Sequence, residues 1–204
     1  AIIDGDEKLR QQYQTLVPDL EQLHALYCQL DISRKNRGAI AFESQESRFV
    51  FNAERKIDYV EEVERNVAHK MIEECMILAN VATAKYVTKH QQEGVFRVHD
   101  KPSEEKYSNF VKYLAELGIS VPLREQPEPA DYSMIIERII GRPDHELIQT
   151  MLLRSMRQAT YEADNIGHFG LALDAYSHFT SPIRRYPDLI IHRVIKAILA
   201  KEQS

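Results

Sequence analysis

Cysteine is scarce in this sequence. Two cysteines, Cys28 and Cys75, occur among 204 residues, far apart and in no CxxC arrangement. A zinc ribbon or a disulfide framework needs more cysteines at closer spacing, so both classes are excluded. Free thiols are typical of proteins from a reducing compartment, and we therefore predict a cytoplasmic protein.

Long apolar runs are also missing. No segment approaches the roughly 18 consecutive apolar residues of a transmembrane helix, and no signal peptide is recognisable. We therefore expect no membrane partner. The sequence begins with Ala1 instead of methionine and stops at KEQS, directly after a helical pattern, so we interpret it as a fragment excised from a longer protein.

Several enzyme signatures do not occur. The sequence has no P-loop, no GxSxG and no GxGxxG segment, which argues against a nucleotide triphosphatase, an α/β-hydrolase and a Rossmann dehydrogenase. Its eight histidines form no HExxH motif and show no paired metal spacing. We therefore predict no metal ligand from the motifs.

The composition itself indicates an ordinary folded chain. Hydrophobic residues make up 44% and charged residues 28% of the sequence, proportions typical of a globular domain. The net charge of −5 does not point to a polyanion partner, although a local basic patch can still bind phosphate. Because the proline-rich stretch 122–131 is flanked by segments too short for separate large cores, we predict one domain over 1–204 and no second domain.

Hydrophobic periodicity predicts an α+β, predominantly helical fold with one long central helix and a few short strands. The long helix is expected over 57–90. A β-hairpin is predicted over 39–51 with its turn at SQES, and further strands over 95–100 and, as a strand or extended turn, 167–173. The other helices are predicted as two within 4–30, separated around Pro18, and one each over 102–117, 131–140, 143–161 and from about 182 to about 200.

The segment from Thr180 to Asp188 is the first candidate site. Thr180 or Ser181 can cap a helix, and Pro182 suits a first helical position. Arg184 and Arg185 would then lie beside free backbone N–H groups, an arrangement that complements phosphate oxygens. The alternative is a capped surface helix whose arginines make ordinary salt bridges. His178 and His192 lie near enough to donate to a phosphate, and a purely structural role is the alternative for each.

Two further positions stand out. On a helical wheel Glu74 falls in the middle of an apolar stripe, whereas Glu73 projects to the side; a carboxylate there needs a partner or a cleft. A salt bridge with an arginine is the alternative to an acidic group in an active site. Phe42, on a predicted strand close behind three basic residues, has the position of a base-stacking aromatic, and a core phenylalanine is the alternative.

Four blocks occur in chain order: NRGAIAFES (36–44), HKMIEECMILAN (69–80), FRVHDKPS (96–103) and GHFGLALDAYSHFTSPIRRYPDLIIHR (167–193). Together they closely resemble the RNase II family of RNB-domain exoribonucleases, over essentially the whole chain. YSHFTSPIRRYPDL is the most specific part of the resemblance. The similarity is to the C-terminal part of the catalytic domain, so an incomplete RNB domain is expected.

The resemblance implies a processive 3′-to-5′ exoribonuclease that draws single-stranded RNA into a channel and releases nucleoside 5′-monophosphates with the help of magnesium. It implies that Arg184 holds the scissile phosphate, that Glu74 or its neighbour Glu73 faces the terminal nucleotide, and that Phe42 stacks on bases. The remaining candidate substrate-binding residues are Arg185, Ser181, Tyr186 and His192.

One family feature is missing from the sequence. The metal ligands of the family are a cluster of aspartates near the start of the RNB domain, and no such cluster occurs here. We therefore expect Mg²⁺ in the full-length enzyme, none bound to this chain, and no RNA hydrolysis by the chain alone. The full-length enzyme is expected to be a monomer that binds single-stranded RNA, and the isolated chain to expose apolar surface that favours self-association.

Two other functional hypotheses remain open. The first is a non-catalytic helical module derived from the same fold, which would bind RNA or another partner; its upstream sequence would then also lack the aspartate cluster. The second is a helical scaffold with no nucleic-acid role, which leaves the arginine-bearing segment and Glu74 without an explanation.

Overall fold

Both helices predicted within residues 4–30 are present, but the break between them precedes Pro18 and the second helix extends beyond residue 30. A computed structural model of the chain describes residues 2–42, 46–63, 65–121 and 124–202. Helix α1 spans Glu7–Gln12 and is capped by Asp6, whose Oδ1 accepts a hydrogen bond from Leu9 N at 3.0 Å. Helix α2 spans Val17–Asn36, with Pro18 in its first turn, where the missing N–H costs no intrahelical hydrogen bond.

The β-hairpin has different strands from those predicted. Strand β1, Glu46–Phe51, pairs antiparallel with β2, Ile57–Val63, so that Phe49 lies opposite Val60. Asn52 closes the connection, because its Oδ1 accepts from the backbone N–H groups of residues 54 and 56. The predicted first strand around Ile40 and Phe42 is wrong, since neither residue belongs to a strand. Part of the predicted SQES turn lies outside the described residues.

The long central helix is present but shorter than predicted. Helix α3 spans Val67–Lys89, and the first ten residues of the predicted range belong to β2 and to the connection after it. Residues 57–63 read IDYVEEV, whose alternating β-branched and aromatic side chains favour a strand. Asn66 caps the start of the helix, because its Oδ1 accepts a hydrogen bond from His69 N at 3.2 Å.

A small sheet and three helices follow. Strand β3, Phe96–Val98, pairs antiparallel with β4, Thr160–Glu162, so the predicted helix over 143–161 ends early. Helices α4, α5 and α6 span Glu104–Glu116, Pro129–Ile139 and His145–Ser155. Gly118 and Gly141 follow α4 and α5 with positive φ angles of 74° and 79°, a conformation that ends helices. The fully buried side chains of these helices include Tyr107, Leu114, Tyr132, Ile135, Ile139, Ile148 and Leu152.

The C-terminal part contains one short 3₁₀ turn and one long helix. The 3₁₀ turn, Phe169–Leu171, occupies the middle of the segment predicted as a strand or extended turn. Helix α7 spans Tyr186–Glu202. The α+β, predominantly helical fold class is confirmed. Within the described ranges, no helix combines the length and the apolar character that crossing a membrane requires.

The chain forms two compact units. The first comprises Ala1–Asp31 and Phe42–Cys75, and the second comprises Ile32–Ala41 and Met76–Ser204. The first unit contains the hairpin and the beginning of α3. The second contains the β3–β4 sheet, the buried helices α4 to α6 and the arginine-bearing segment before α7.

Candidate functional site

The arginine-bearing segment forms a turn that precedes α7. Ser181 O accepts hydrogen bonds from Arg184 N at 3.3 Å and from Arg185 N at 3.1 Å, so the chain reverses over residues 182–184. The predicted helix start at Thr180 or Ser181 is therefore wrong, since α7 begins at Tyr186. Pro187, and not Pro182 as predicted, lies in the first turn of α7, where a proline costs no intrahelical hydrogen bond. We call residues 181–185 the arginine turn.

The side chains at the tip of this turn are exposed. Ile183 is fully accessible and Tyr186 is 65% exposed, and the Arg184 side chain also faces solvent. Among the described residues, no carboxylate forms an ion pair with Arg184. An exposed guanidinium between an exposed aliphatic and an exposed aromatic side chain can bind a phosphate and the nucleoside attached to it.

Arg185 has a different environment from its neighbour Arg184. Its Nη2 lies 2.8 Å from Asp188 Oδ2 and 3.5 Å from Thr180 Oγ1. Asp188 is completely buried and also accepts a 2.8 Å hydrogen bond from Ser181 N. The two adjacent arginines are therefore distinct: one is neutralised by a buried carboxylate, and the other points into solvent.

His192 joins the arginine turn to helix α7. Its Nε2 donates to Phe179 O at 2.9 Å, and its ring stacks on the Phe179 ring at a centroid distance of 4.2 Å. This contact holds the chain just before the turn against the second turn of the helix. The substrate-binding role predicted for His192 stays a prediction, beside this observed structural contact.

Asn80 ties the same segment to α3 and was not singled out by sequence analysis. It is buried; its Nδ2 donates to the Tyr176 hydroxyl and its Oδ1 accepts from Phe179 N, both at 2.9 Å. The signal was available, because Asn80 shares a helical face with the buried Ala84 and Val87. A buried amide on an apolar stripe requires hydrogen-bond partners elsewhere in the fold.

A row of aromatic and histidine rings lies beside the turn. The Tyr161 hydroxyl is 2.8 Å from His178 Nδ1, and the Arg97 guanidinium lies 4.6 Å from the centre of the Tyr161 ring. Burial, and after it the positive charge of Arg185, lowers the pKa of His178 to about 4. His178 is therefore neutral near pH 7, and its Nδ1 shares a hydrogen bond with the tyrosine hydroxyl.

His168 and His99 extend this row into the interior. Burial lowers the pKa of His168 to about 3, with the charge of His99 as the next cause. The Nδ1 atoms of His168 and His99 accept hydrogen bonds from Leu171 N at 3.2 Å and Gly170 N at 3.1 Å. Burial also lowers the pKa of His99. These two neutral rings hold the 3₁₀ turn in place.

The other predicted site residues belong to the first unit. Glu74 is buried on α3, with 4% of its surface exposed, as the helical wheel predicts. Glu73 is about one-third exposed and forms an ion pair with Arg65. Phe42 is half-buried and lies in no strand. The roles of Glu74 and Phe42 stay predictions.

The described residues offer no centre for magnesium. They contain no group of three or more histidine, cysteine, aspartate or glutamate side chains placed to hold a metal ion. Hard divalent cations such as Mg²⁺ require several oxygen ligands. The donor set in the described ranges therefore does not fit a magnesium site.

The sequence is similar to known proteins over almost its whole length. The family model described as RNB domain matches residues 1–201. The sequence is 57% identical over 203 residues to Ribonuclease R of Escherichia coli, covering all of this chain and 25% of that protein. The chain thus spans about a quarter of the length of this curated relative.

Solved structures agree with the sequence comparison. The structure titled Mycoplasma genitalium RNase R in complex with ribose methylated single-stranded RNA matches with a TM-score of 0.84 and 26% identity, over 95% of this chain and 31% of that one. Yeast Ssd1, described as a pseudonuclease, matches with a TM-score of 0.60 and 26% identity, over 68% of this chain and 18% of that one. The match over residues 1–201 decides the assignment, and the chain belongs to the RNB domain family.

Proposed function

We propose that this chain is part of a 3′-to-5′ exoribonuclease that hydrolyses single-stranded RNA to nucleoside 5′-monophosphates. The observation that carries the proposal is the exposed Arg184 on a turn fixed by buried hydrogen bonds. The identity to proteins named Ribonuclease R and the similarity to a structure solved with single-stranded RNA support it.

In this proposal Arg184 binds the scissile phosphate and offsets the charge that develops on it during hydrolysis. A preorganised positive group favours the transition state over the ground state when its position is fixed before the substrate binds. The exposed Tyr186 ring stacks on a neighbouring base, and Ser181 and Arg185 line the approach to the phosphate. Glu74 contacts the terminal nucleotide, and Phe42 stacks on bases near the 3′ end.

Magnesium belongs to the same proposal but not to this chain's own residues. When bound, the metal would supply an activated water and neutralise phosphate charge. Its ligands would come from outside the described residues.

We also propose a cytoplasmic location, which the two free cysteines support. We further propose that the full-length enzyme is a monomer and that the isolated chain self-associates.

A chimera tests the role of Arg184. In it, this chain replaces the matching quarter of the Escherichia coli relative, and Arg184→Ala is compared with the unmodified chimera. We expect turnover of single-stranded RNA to fall by about 10²–10³-fold, the size typical of a lost oxyanion donor, while RNA affinity changes far less. Quenched-flow product release and fluorescence anisotropy measure the two quantities.

Arg154→Ala, at an exposed arginine of α6, is the matched control and should leave both quantities unchanged. Equal losses of affinity and turnover in Arg184→Ala would reduce Arg184 to a docking residue.

A non-catalytic RNA-binding module is the second candidate, and the similarity to the yeast pseudonuclease favours it. The unmodified chimera distinguishes the two. Binding of RNA without any degradation would support the module and contradict the enzyme.

A further inference from the structure

We propose that Asp188 is a positioning residue for Arg184, which it serves by locking both ends of the arginine turn. The proposal rests on the proposed function of Arg184. It assigns to a buried carboxylate the task of fixing where the exposed guanidinium lies.

A single carboxylate oxygen holds both residues that flank the tip. Asp188 Oδ2 accepts from Ser181 N at the start of the turn and from Arg185 Nη2 at its end, each at 2.8 Å. Ser181 O accepts from Arg184 N and Arg185 N across the same turn. Arg184 is therefore carried on a three-residue tip, 182–184, between two points that Asp188 anchors to helix α7.

The burial of Asp188 indicates that the residue fixes the geometry of the arginine turn and does not serve to stabilise the fold. Its side chain is completely buried, and that of Arg185 is 23% exposed. Within the described part of the chain, Asp188 Oδ1 and Arg185 Nε are buried without hydrogen-bond partners. Buried ion pairs with unsatisfied atoms contribute little or nothing to stability relative to an apolar replacement. A fixed geometry is what such a pair does provide.

The pair also divides the positive charge of the turn. Asp188 neutralises Arg185, so Arg184 is left as the exposed charge at the tip. A phosphate approaching the turn is thereby directed to one guanidinium. Removing the charge of Asp188 frees Arg185, which adds positive charge near the RNA while loosening the turn.

Loss of the Asp188 charge should thus lower turnover without weakening RNA binding, and a merely structural role would not separate these two quantities. In the chimera, Asp188→Asn keeps the size of the side chain and an oxygen for Ser181 N but loses the ion pair. We expect kcat to fall by about tenfold to a hundredfold, the effect of displacing a catalytic group by around 1 Å. We expect the Kd for single-stranded RNA to stay the same or decrease. Asp188→Glu, which restores the charge, should recover part of kcat.

Asp144→Asn is the matched control. Asp144 also lies at the start of a helix and pairs with an arginine, Arg142, at 2.8 Å, but it lies far along the chain from the arginine turn. It should leave kcat and Kd unchanged.

Unchanged kcat in Asp188→Asn, or parallel losses of kcat and RNA affinity, would overturn the proposal. If Asp188→Asn does not fold, Asp188→Glu is judged by the same two quantities against the unmodified chimera, and an unchanged kcat with its longer side chain overturns the proposal. Arg184→Ala is measured alongside: normal turnover in that variant contradicts the proposed function itself, whereas loss there with full activity in the Asp188 variants contradicts only the positioning role.

Discussion

At the scale of single residues, burial lowers the pKa of three histidines, His99, His168 and His178. The Nδ1 atoms of His99 and His168 accept hydrogen bonds from backbone N–H groups of the 3₁₀ turn. A protonated ring has no lone pair to accept these hydrogen bonds. The local structure around the turn therefore depends on rings that carry no charge.

A pH dependence follows from these shifts. The pKa of His178 is lowered to about 4 and that of His168 to about 3, whereas both rings titrate near 6.5 in an unfolded chain. Between these values the unfolded chain binds protons that the folded chain excludes. We therefore expect the free energy of unfolding to be highest above pH 6.5 and to fall as the pH decreases from 6.5 towards 4.

Urea unfolding from pH 7.5 to 5 measures this dependence, in a range where few carboxylates titrate. His178→Gln should make the curve shallower. An NMR titration of the wild-type protein in which the His178 ring protonates near pH 6.5 would contradict the explanation.

The candidate site was only partly predictable at this scale. Arg184 and Arg185 could be singled out because charge is a local property of a sequence, whereas the turn that carries them was predicted as a helix start. Asn80 could be recognised only as an amide on an apolar helical face, and the contacts of Asp188 could not be predicted, because the fold brings the partners of both residues to them. The partner of His192 was not predictable for the same reason, because the sequence does not show that Phe179 O lies beside its ring.

At the scale of elements, the segment after α2 is held by two neighbours within the second unit. Ser133 Oγ on α5 donates to Gly38 O at 3.2 Å and to Ala39 O at 3.0 Å. Ile40 N donates to Gly170 O at 2.9 Å. The segment therefore satisfies its backbone groups against a helix and the 3₁₀ turn, where a β-hairpin was predicted.

Gly38 allows the close packing of this segment on α5. Its φ is +73°, and a Cβ atom there would lie 2.9 Å from Ala130 Cβ. We expect Gly38→Ala to destabilise the protein by about 1–2 kcal/mol through the left-handed backbone conformation, and by about 1–3 kcal/mol more through overpacking. Chemical denaturation of the isolated chain measures the sum.

Gly118→Ala is the matched control for that substitution. Gly118 has a similar φ of +74°, but an added Cβ would meet nothing within 4 Å. Its cost should be the backbone part alone. Equal costs for the two variants would show that Gly38 is not a packing position.

Helix ends marked by a neighbouring cap or glycine were predictable, whereas the start of α3 and the end of α6 were not, because strands that pair elsewhere adjoin them. Ser103 caps α4, because its Oγ accepts a hydrogen bond from Lys106 N, and Gly118 and Gly141 follow α4 and α5. These residues act on the chain next to them, and the boundaries of α4 and α5 were predicted to within about two residues. Apolar residues of β2 continue the helical period of α3, while their β-branched and aromatic side chains favour a strand. Pairing with β1 decides between the two. The partner of a strand is a tertiary property, which local periodicity does not contain.

At the scale of the whole molecule, the chain spans a quarter of its relative's length and, in the described ranges, contains no acidic group suited to a metal. We expect the purified chain, incubated with 5′-labelled single-stranded RNA and an excess of Mg²⁺, to release no nucleotide. Denaturing gel electrophoresis detects any shortening. The chimera under the same conditions is the positive control, and shortening of the RNA by the chain alone would refute the expectation.

The contacts of Asn80 have a consequence for the order of events during folding. Its partners Tyr176 and Phe179 lie 96 and 99 residues later in the chain. Contacts of such large sequence separation close a long loop and form late, because the entropy of that loop must be lost first. On a ribosome, α3 is completed long before its partners emerge. The arginine turn therefore acquires its contacts with α3 only after residues 176–179 have been synthesised, which is long after the helix itself.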